Sequence, residues 1–252
     1  MLRGWFSFLG LAALASLLLF SYSLIADSRS LPELKTHPLP ANLAQWQEQN
    51  QPGDYFDAVE ISPVGALIWS QFPVKIYIQS DRRSWLSLVQ EAIAEWGQYL
   101  PIELVNRAEL ADILIKQELP PSGVRFNPET GKLELPRVRS AITQYEIFVK
   151  ENRLTHRMSI QISPNLADRS ALAAARHELG HALGIWGHSP LVTDVMYFAQ
   201  TRDIPPISSR DVNTLKKVYQ QPTKLGWEMD KLLNGKVQSF RLGYTSPLRE
   251  KS

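Results

Sequence analysis

Apolar and polar residues alternate along Val74-Lys75-Ile76-Tyr77-Ile78-Gln79, the pattern of a strand with one buried face. The period then changes. Leu86, Val89, Ile93, Trp96 and Leu100 recur at helical intervals, Ser84 offers an N-cap, and Pro101 marks the stop. Residues 102–105 and 112–116 read as the next strands, the second as a short continuous apolar run. Between 119 and 138, Pro120-Pro121-Ser122-Gly123 and Asn127-Pro128-Glu129-Thr130-Gly131 are turn signals, which predict a long exposed loop or a loose hairpin. Strands resume at 141–149 and 158–163, the latter turning Met158, Ile160 and Ile162 inward.

A helix rich in alanine and leucine follows, starting near Asp168 or Ser170 and running through Ala171-Leu172-Ala173-Ala174-Ala175. It leads into His177-Glu178-Leu179-Gly180-His181-Ala182-Leu183-Gly184-Ile185-Trp186-Gly187-His188. Residues four apart share one helix face, so His177 and His181 can offer two imidazoles to one metal. Glu178 projects beside that pair, where it could polarise a water without taking a coordination position. Gly184 can adopt a left-handed backbone conformation, ending the helix and turning the chain back. His188 is then the candidate third ligand. Three protein ligands with one open position is the arrangement a catalytic zinc requires, so one Zn2+ is the expected cofactor.

The same stretch resembles the zinc-binding helix of the metzincin metallopeptidases, in particular the matrixin branch. The family pattern H-E-x-x-H-x-x-G-x-x-H would place its last histidine at position 187, which is Gly187 here; His188 arrives one residue late. The extra residue changes the loop path and not the chemistry of imidazole, and Gly187, lacking a Cβ, can absorb the altered path. Thr193-Asp194-Val195-Met196-Tyr197 resembles the Met-turn of the same family. The resemblance implies that Met196 forms a soft apolar floor beneath the metal rather than a bond to it. Tyr197 receives no catalytic role, because some metzincins carry their site tyrosine two positions after the methionine, where this chain has Phe198. Residues 206–219 look like the final matrixin helix, which follows the specificity loop. On their own residues they make a good helix: Ser208 and Asp211 form a capping-box-like start, and Val212, Leu215 and Tyr219 an apolar stripe.

What the resemblance implies is an α+β, metzincin-like zincin fold. It has a twisted mixed sheet of about five strands, three main helices, and a cleft between an upper and a small lower subdomain. In the family, the strand before the zinc helix rims the cleft, where an extended peptide can pair through main-chain hydrogen bonds; by order alone this is 158–163. Residues 198–206 would shape the pocket beyond the scissile bond. His156 lacks the paired His and Asp of the second, structural zinc found in many matrixins, so no second zinc is expected; Ca2+ is left open.

The function expected is zinc-dependent hydrolysis of peptide bonds. His177, His181 and His188 hold the metal, and Glu178 takes the water's proton and passes it to the leaving amine. Three rivals are weighed against this. A zinc-binding pseudoprotease, acting as an extracytoplasmic scaffold or adhesion module, would have no need of Glu178. A membrane-attached processing or quality-control protease differs in location and substrate. A zincin of another clan, with Glu228 as a distant third ligand, fits worse because Glu228 follows the Met-turn.

Composition sets the remaining limits. The chain of 252 residues suffices for one well-buried domain with flanking segments. A net charge of +2 with mixed signs leaves no nucleic-acid footprint, and Arg137, Arg139, Arg153 and Arg157 read as a solvated strand face. Arg3 precedes an uncharged run over residues 4–26, as in a secretory signal peptide; a retained membrane anchor is the alternative. The protein is therefore expected to be exported, periplasmic or extracellular, or anchored with its catalytic domain outside the cytoplasm. The chain has no cysteine, so it depends on its core alone and cannot use the propeptide cysteine that keeps many matrixins latent. The domain reading is residues 1–26 as signal peptide or anchor, 27–67 as linker or short pro-segment with His37 a solvated loop histidine, 68–220 as catalytic domain, and 221–252 as a C-terminal extension. In that extension Leu225, Trp227, Met229, Leu232 and Leu233 suggest a short packed segment. The partner expected is a protein or peptide substrate, and the chain is expected to be a monomer.

Overall fold

A computed structural model describes residues 31–47, 53–121, 125–128, 131–134, 139–199, 204–229 and 242–245. The 1–26 segment, Arg137, residues 200–203 of the expected pocket loop, and Leu232 and Leu233 lie outside the described residues. Among the described residues, no helix is long and apolar enough to cross a membrane.

Six strands form one mixed sheet: β1 (Val74–Gln79), β2 (Ile102–Leu104), β3 (Ile113–Gln117), β6 (Ala141–Lys150), β7 (Arg153–Ile162) and β8 (Leu242–Thr245), in the order β2-β1-β3-β7-β6-β8. The first four neighbours run parallel, and β6 is antiparallel to both β7 and β8. β4 (Arg125–Asn127) and β5 (Lys132–Glu134) pair separately, so the expected loose hairpin is present. The helices are α1 (Ala41–Gln45), α2 (Arg83–Trp96), α3 (Asp168–Leu183) and α4 (Ser209–Tyr219), the last three being the main ones. This is the expected α+β arrangement of a mixed sheet with three main helices, with six strands where about five were expected.

Two local expectations need correction. α2 is preceded by Arg82 and has no side-chain cap; the Ser84 hydroxyl accepts from Arg82 Nε at 3.2 Å instead. β7 begins at Arg153 rather than at 158, because Glu151 and Asn152 both take positive φ (51° and 62°) and make a two-residue hairpin turn. With β3 on one side and β6 on the other, residues 158–162 of β7 have no free edge. They cannot rim a cleft by pairing with a peptide. β6 lies farther out, and β8 pairs with its outer side over residues 144–147.

The stretch expected to be a linker or pro-segment contributes Leu43, Tyr55, Val64, Ala66 and Leu67 to the buried core. Paired amide-carbonyl bonds between Lys35 and Thr223 (3.1 and 2.9 Å) fasten it to the segment after α4. His37 is not a solvated loop residue: its Nε2 lies 2.8 Å from the Leu225 carbonyl, and its ring stacks on Trp227 at 4.2 Å. The packed segment expected around Leu225 and Met229 is buried accordingly.

On the inward row of β7, His156 interrupts Leu154, Met158, Ile160 and Ile162. Its ring stacks on Trp69 at 3.9 Å, and burial pushes its pKa down to about 3 from an ordinary 6.5. Between these values the unfolded chain binds a proton that the folded chain refuses, so stability falls as pH drops from about 6.5 towards 3. His156→Phe keeps a ring against Trp69 and removes the titration. With metal chelated, its melting temperature should fall less steeply than that of the unaltered chain between pH 7 and 4. Parallel slopes by circular dichroism would refute this account.

Candidate metal centre

α3 starts at Asp168, within the expected window, and lies against α2. Arg176 bridges to Glu95 through two contacts of 2.6 and 2.5 Å, and Trp96 Nε1 donates to the Arg176 carbonyl at 2.9 Å. Glycine inside a helix costs about 1 kcal/mol against alanine. Gly180 has a packing reason: a Cβ there would overlap the Met196 sulfur and press on Trp96 at 3.2 Å. Met196 is fully buried against the helix that carries the two histidines.

His177, His181 and His188 offer ligand atoms that all lie within 4.8 Å of one another. His177 Nδ1 is 2.9 Å from the Val195 carbonyl, and His181 Nδ1 is 2.6 Å from the Ile185 carbonyl. A carbonyl only accepts, so each contact places the proton on Nδ1 and leaves the Nε2 lone pair for a metal. His188 Nε2 is buried without a hydrogen-bond partner. Three imidazoles so arranged fit zinc as a donor set. Burial, reinforced by the neighbouring histidines, pushes the His181 pKa well down, and burial with His177 pushes that of His188 to about 4. Both are therefore neutral near pH 7, as ligation requires.

α3 ends at Gly184, whose φ of 132° lets the chain reverse. The following loop is held on both sides of His188. Glu60 N donates to the Trp186 carbonyl at 2.8 Å, and Val59 and Gly187 form an antiparallel bridge. On the other side, Ser189 N donates to the Met196 carbonyl at 2.8 Å. Gly187 lacks a Cβ for a specific reason: one would overlap the Ala58 carbonyl oxygen and lie 2.9 Å from the Val59 Cα.

The turn carrying Val195 and Met196 is tied to α4 by Asp211. Its carboxylate accepts from Val195 N (3.0 Å), Met196 N (3.4 Å), Ser208 N (2.8 Å) and the Tyr55 hydroxyl (2.6 Å), while Ser208 and Asp211 complete a capping box. Burial pushes the Asp211 carboxyl up, and these hydrogen bonds oppose that shift. Asp194 is buried as well; it bonds the Ser189 hydroxyl and pairs with Arg210 Nε at 3.1 Å.

Glu178 is buried beside the triad, and its Oε2 accepts from the Thr143 hydroxyl at 2.6 Å. Burial raises its pKa; His177, the Thr143 hydrogen bond and Arg139 oppose the rise. A raised carboxyl suits a group that must both take and give a proton. Thus the structure brings His177, His181, His188, Glu178 and Met196 together. Tyr197 is half-buried and bridges to Ser189, and Phe198 is exposed. Glu228 is not in this group: it is exposed and pairs with Arg153 at 3.0 Å. Sequence reasoning missed Thr143, Tyr55 and residues 58–60, and read Asp211 as a helix cap alone. Asp211 carried a partial signal, its place in a capping box next to a Met-turn; Thr143 carried none.

No family model matches the chain, and no curated protein matches it. A solved structure of myroilysin is matched with a TM-score of 0.35 and 14% identity, covering 75% of this chain and 99% of that one. The case for the centre rests on its own geometry.

Gly187→Ala should push the His188 loop off residues 58–59. The expected outcome is a stability loss of about 1–3 kcal/mol, as for an overpacked site, with weakened zinc binding. Chemical denaturation and zinc titration would check it; a variant unchanged in both would show that the close approach is not needed.

Proposed function

We propose that this chain is a zinc-dependent metalloendopeptidase with one catalytic zinc held by His177, His181 and His188. The observation that carries the reading is the convergence of three imidazoles, two with Nδ1 committed to carbonyls, beside one buried carboxylate. When bound, zinc would supply Lewis acidity, polarising the scissile carbonyl and lowering the pKa of the attacking water. Glu178 takes the proton from that water and delivers it to the leaving amine, a role supported by its burial and raised pKa. Met196 supports the helix from below and touches no substrate atom. The substrate is an extended protein or peptide segment that adds to β6 outside residues 144–147, where β8 pairs, rather than to residues 158–162 of β7, which are paired on both sides. The uncharged run at residues 4–26 supports an exported or membrane-attached enzyme.

Glu178→Ala should keep its zinc and lose peptide hydrolysis by at least two orders of magnitude, the scale of a general base. Metal analysis beside a casein or peptide-library assay makes the comparison; full activity in the variant would sink the assignment. Full zinc occupancy with no hydrolysis by the unaltered chain would favour the non-catalytic zinc module. His188→Ala separately tests the late ligand: zinc content should drop, and unchanged content would remove His188 from the coordination sphere.

A further inference from the structure

We infer that Thr143 is a positioning residue for Glu178, holding one carboxylate oxygen so that the other faces the attacking water; this rests on the peptidase reading above. Thr143 stands on β6, in register with Ile160 of β7. Thr143, Tyr145 and Ile147 alternate along the strand and are all buried. Tyr145 meets Trp186 edge-on at 5.0 Å, so this row faces α3 and the turn after it. In such a row valine would fill the same volume as threonine, and the hydroxyl is the one difference.

A buried hydroxyl left unpaired costs about 1–3 kcal/mol, so its partner matters. Two acceptors are in reach, both of Glu178: Oε2 at 2.6 Å and the main-chain oxygen at 3.1 Å. A hydroxyl has one proton. Hydrogen bonds from hydroxyl to carboxylate are typically about 2.5–2.7 Å, so the carboxylate takes it. The longer contact seats the hydroxyl against the helix turn that carries the base. Glu178 is thereby fixed by one oxygen from the side of the sheet. Its other oxygen is left to exchange the proton between water and leaving amine.

The test compares T143V, which keeps the shape and removes the hydroxyl, with T143S, which keeps the hydroxyl. T143A serves as a second hydroxyl-free variant in case T143V does not fold. Each zinc-loaded protein is measured for zinc content, melting temperature, kcat and KM on one peptide, and calorimetric affinity for a peptide hydroxamate. The acidic proton of such a probe needs a correctly placed carboxylate to receive it. The expected result for the hydroxyl-free variant is a fall in kcat of about 10- to 100-fold with KM and zinc content unchanged, and weaker hydroxamate binding. T143S should recover most of both losses. A hydroxyl-free variant with unaltered kcat and hydroxamate affinity would overturn the inference, as would T143S as impaired as T143V. If the unaltered chain hydrolyses no peptide, the peptidase reading fails by itself, and the hydroxamate comparison still decides whether Thr143 holds Glu178.

Discussion

Asp211 has both carboxylate oxygens buried and surrounded by hydrogen-bond donors from three stretches of chain: Tyr55, the Val195 and Met196 amides, and Ser208. A carboxylate in such a place is costly unless nearly every lone pair is used. The converse is what shapes the site. Because the charge is satisfied only when all three stretches are in place, it enforces one arrangement of the N-terminal strap, the turn at Val195 and Met196, and α4. Val195 is the link onward: its amide goes to Asp211 and its carbonyl to His177 Nδ1. The orientation of one imidazole is thus set through a single residue from a carboxylate on another helix.

The three imidazoles are held by unequal means. A helix places His177 and His181 on one face by its geometry alone, and α2 clamps that helix through Arg176, Trp96 and the bare surface of Gly180. His188 has no such element beneath it. It depends on hydrogen bonds at its two neighbours, each worth about 1 kcal/mol. One set reaches residues 59–60 and the other the Met196 carbonyl. The His188 loop therefore needs an added wall, and the strap ahead of β1 is that wall.

Much of this was legible in the sequence, and the limits have physical causes. Helical and strand periods located β1, α2, α3 and α4 within a few residues, because each buries a face whose spacing is visible in one dimension. The capping box at Ser208 was legible because it is local. The turn at Glu151-Asn152 was not, since Glu-Asn lacks the glycine that usually marks two positive φ angles. That omission shortened β7. Strand order was the deeper gap: nothing in the chain of residues 141–163 says which strand is inserted between β3 and β6. The contribution of Leu43 and Tyr55 to the core was equally hidden, because their surroundings are polar and Pro-rich, and the hydrogen-bond partners of Tyr55 lie more than a hundred residues away.

The placement of β6 links the sheet to the candidate site. A strand at the outer side of a sheet presents main-chain donors and acceptors in its plane and side chains perpendicular to it. β6 uses both directions. In the plane it pairs with β7, and with β8 over residues 144–147; perpendicular to it, Thr143 reaches Glu178 and Tyr145 reaches Trp186 beside His181. A strand in the middle of the sheet would offer only the second direction, and a loop would hold neither with the same precision. The turn at Glu151-Asn152 that sends the chain back as β7, between β3 and β6, is therefore the topological step that leaves β6 farther out, with Thr143 against Glu178 of α3.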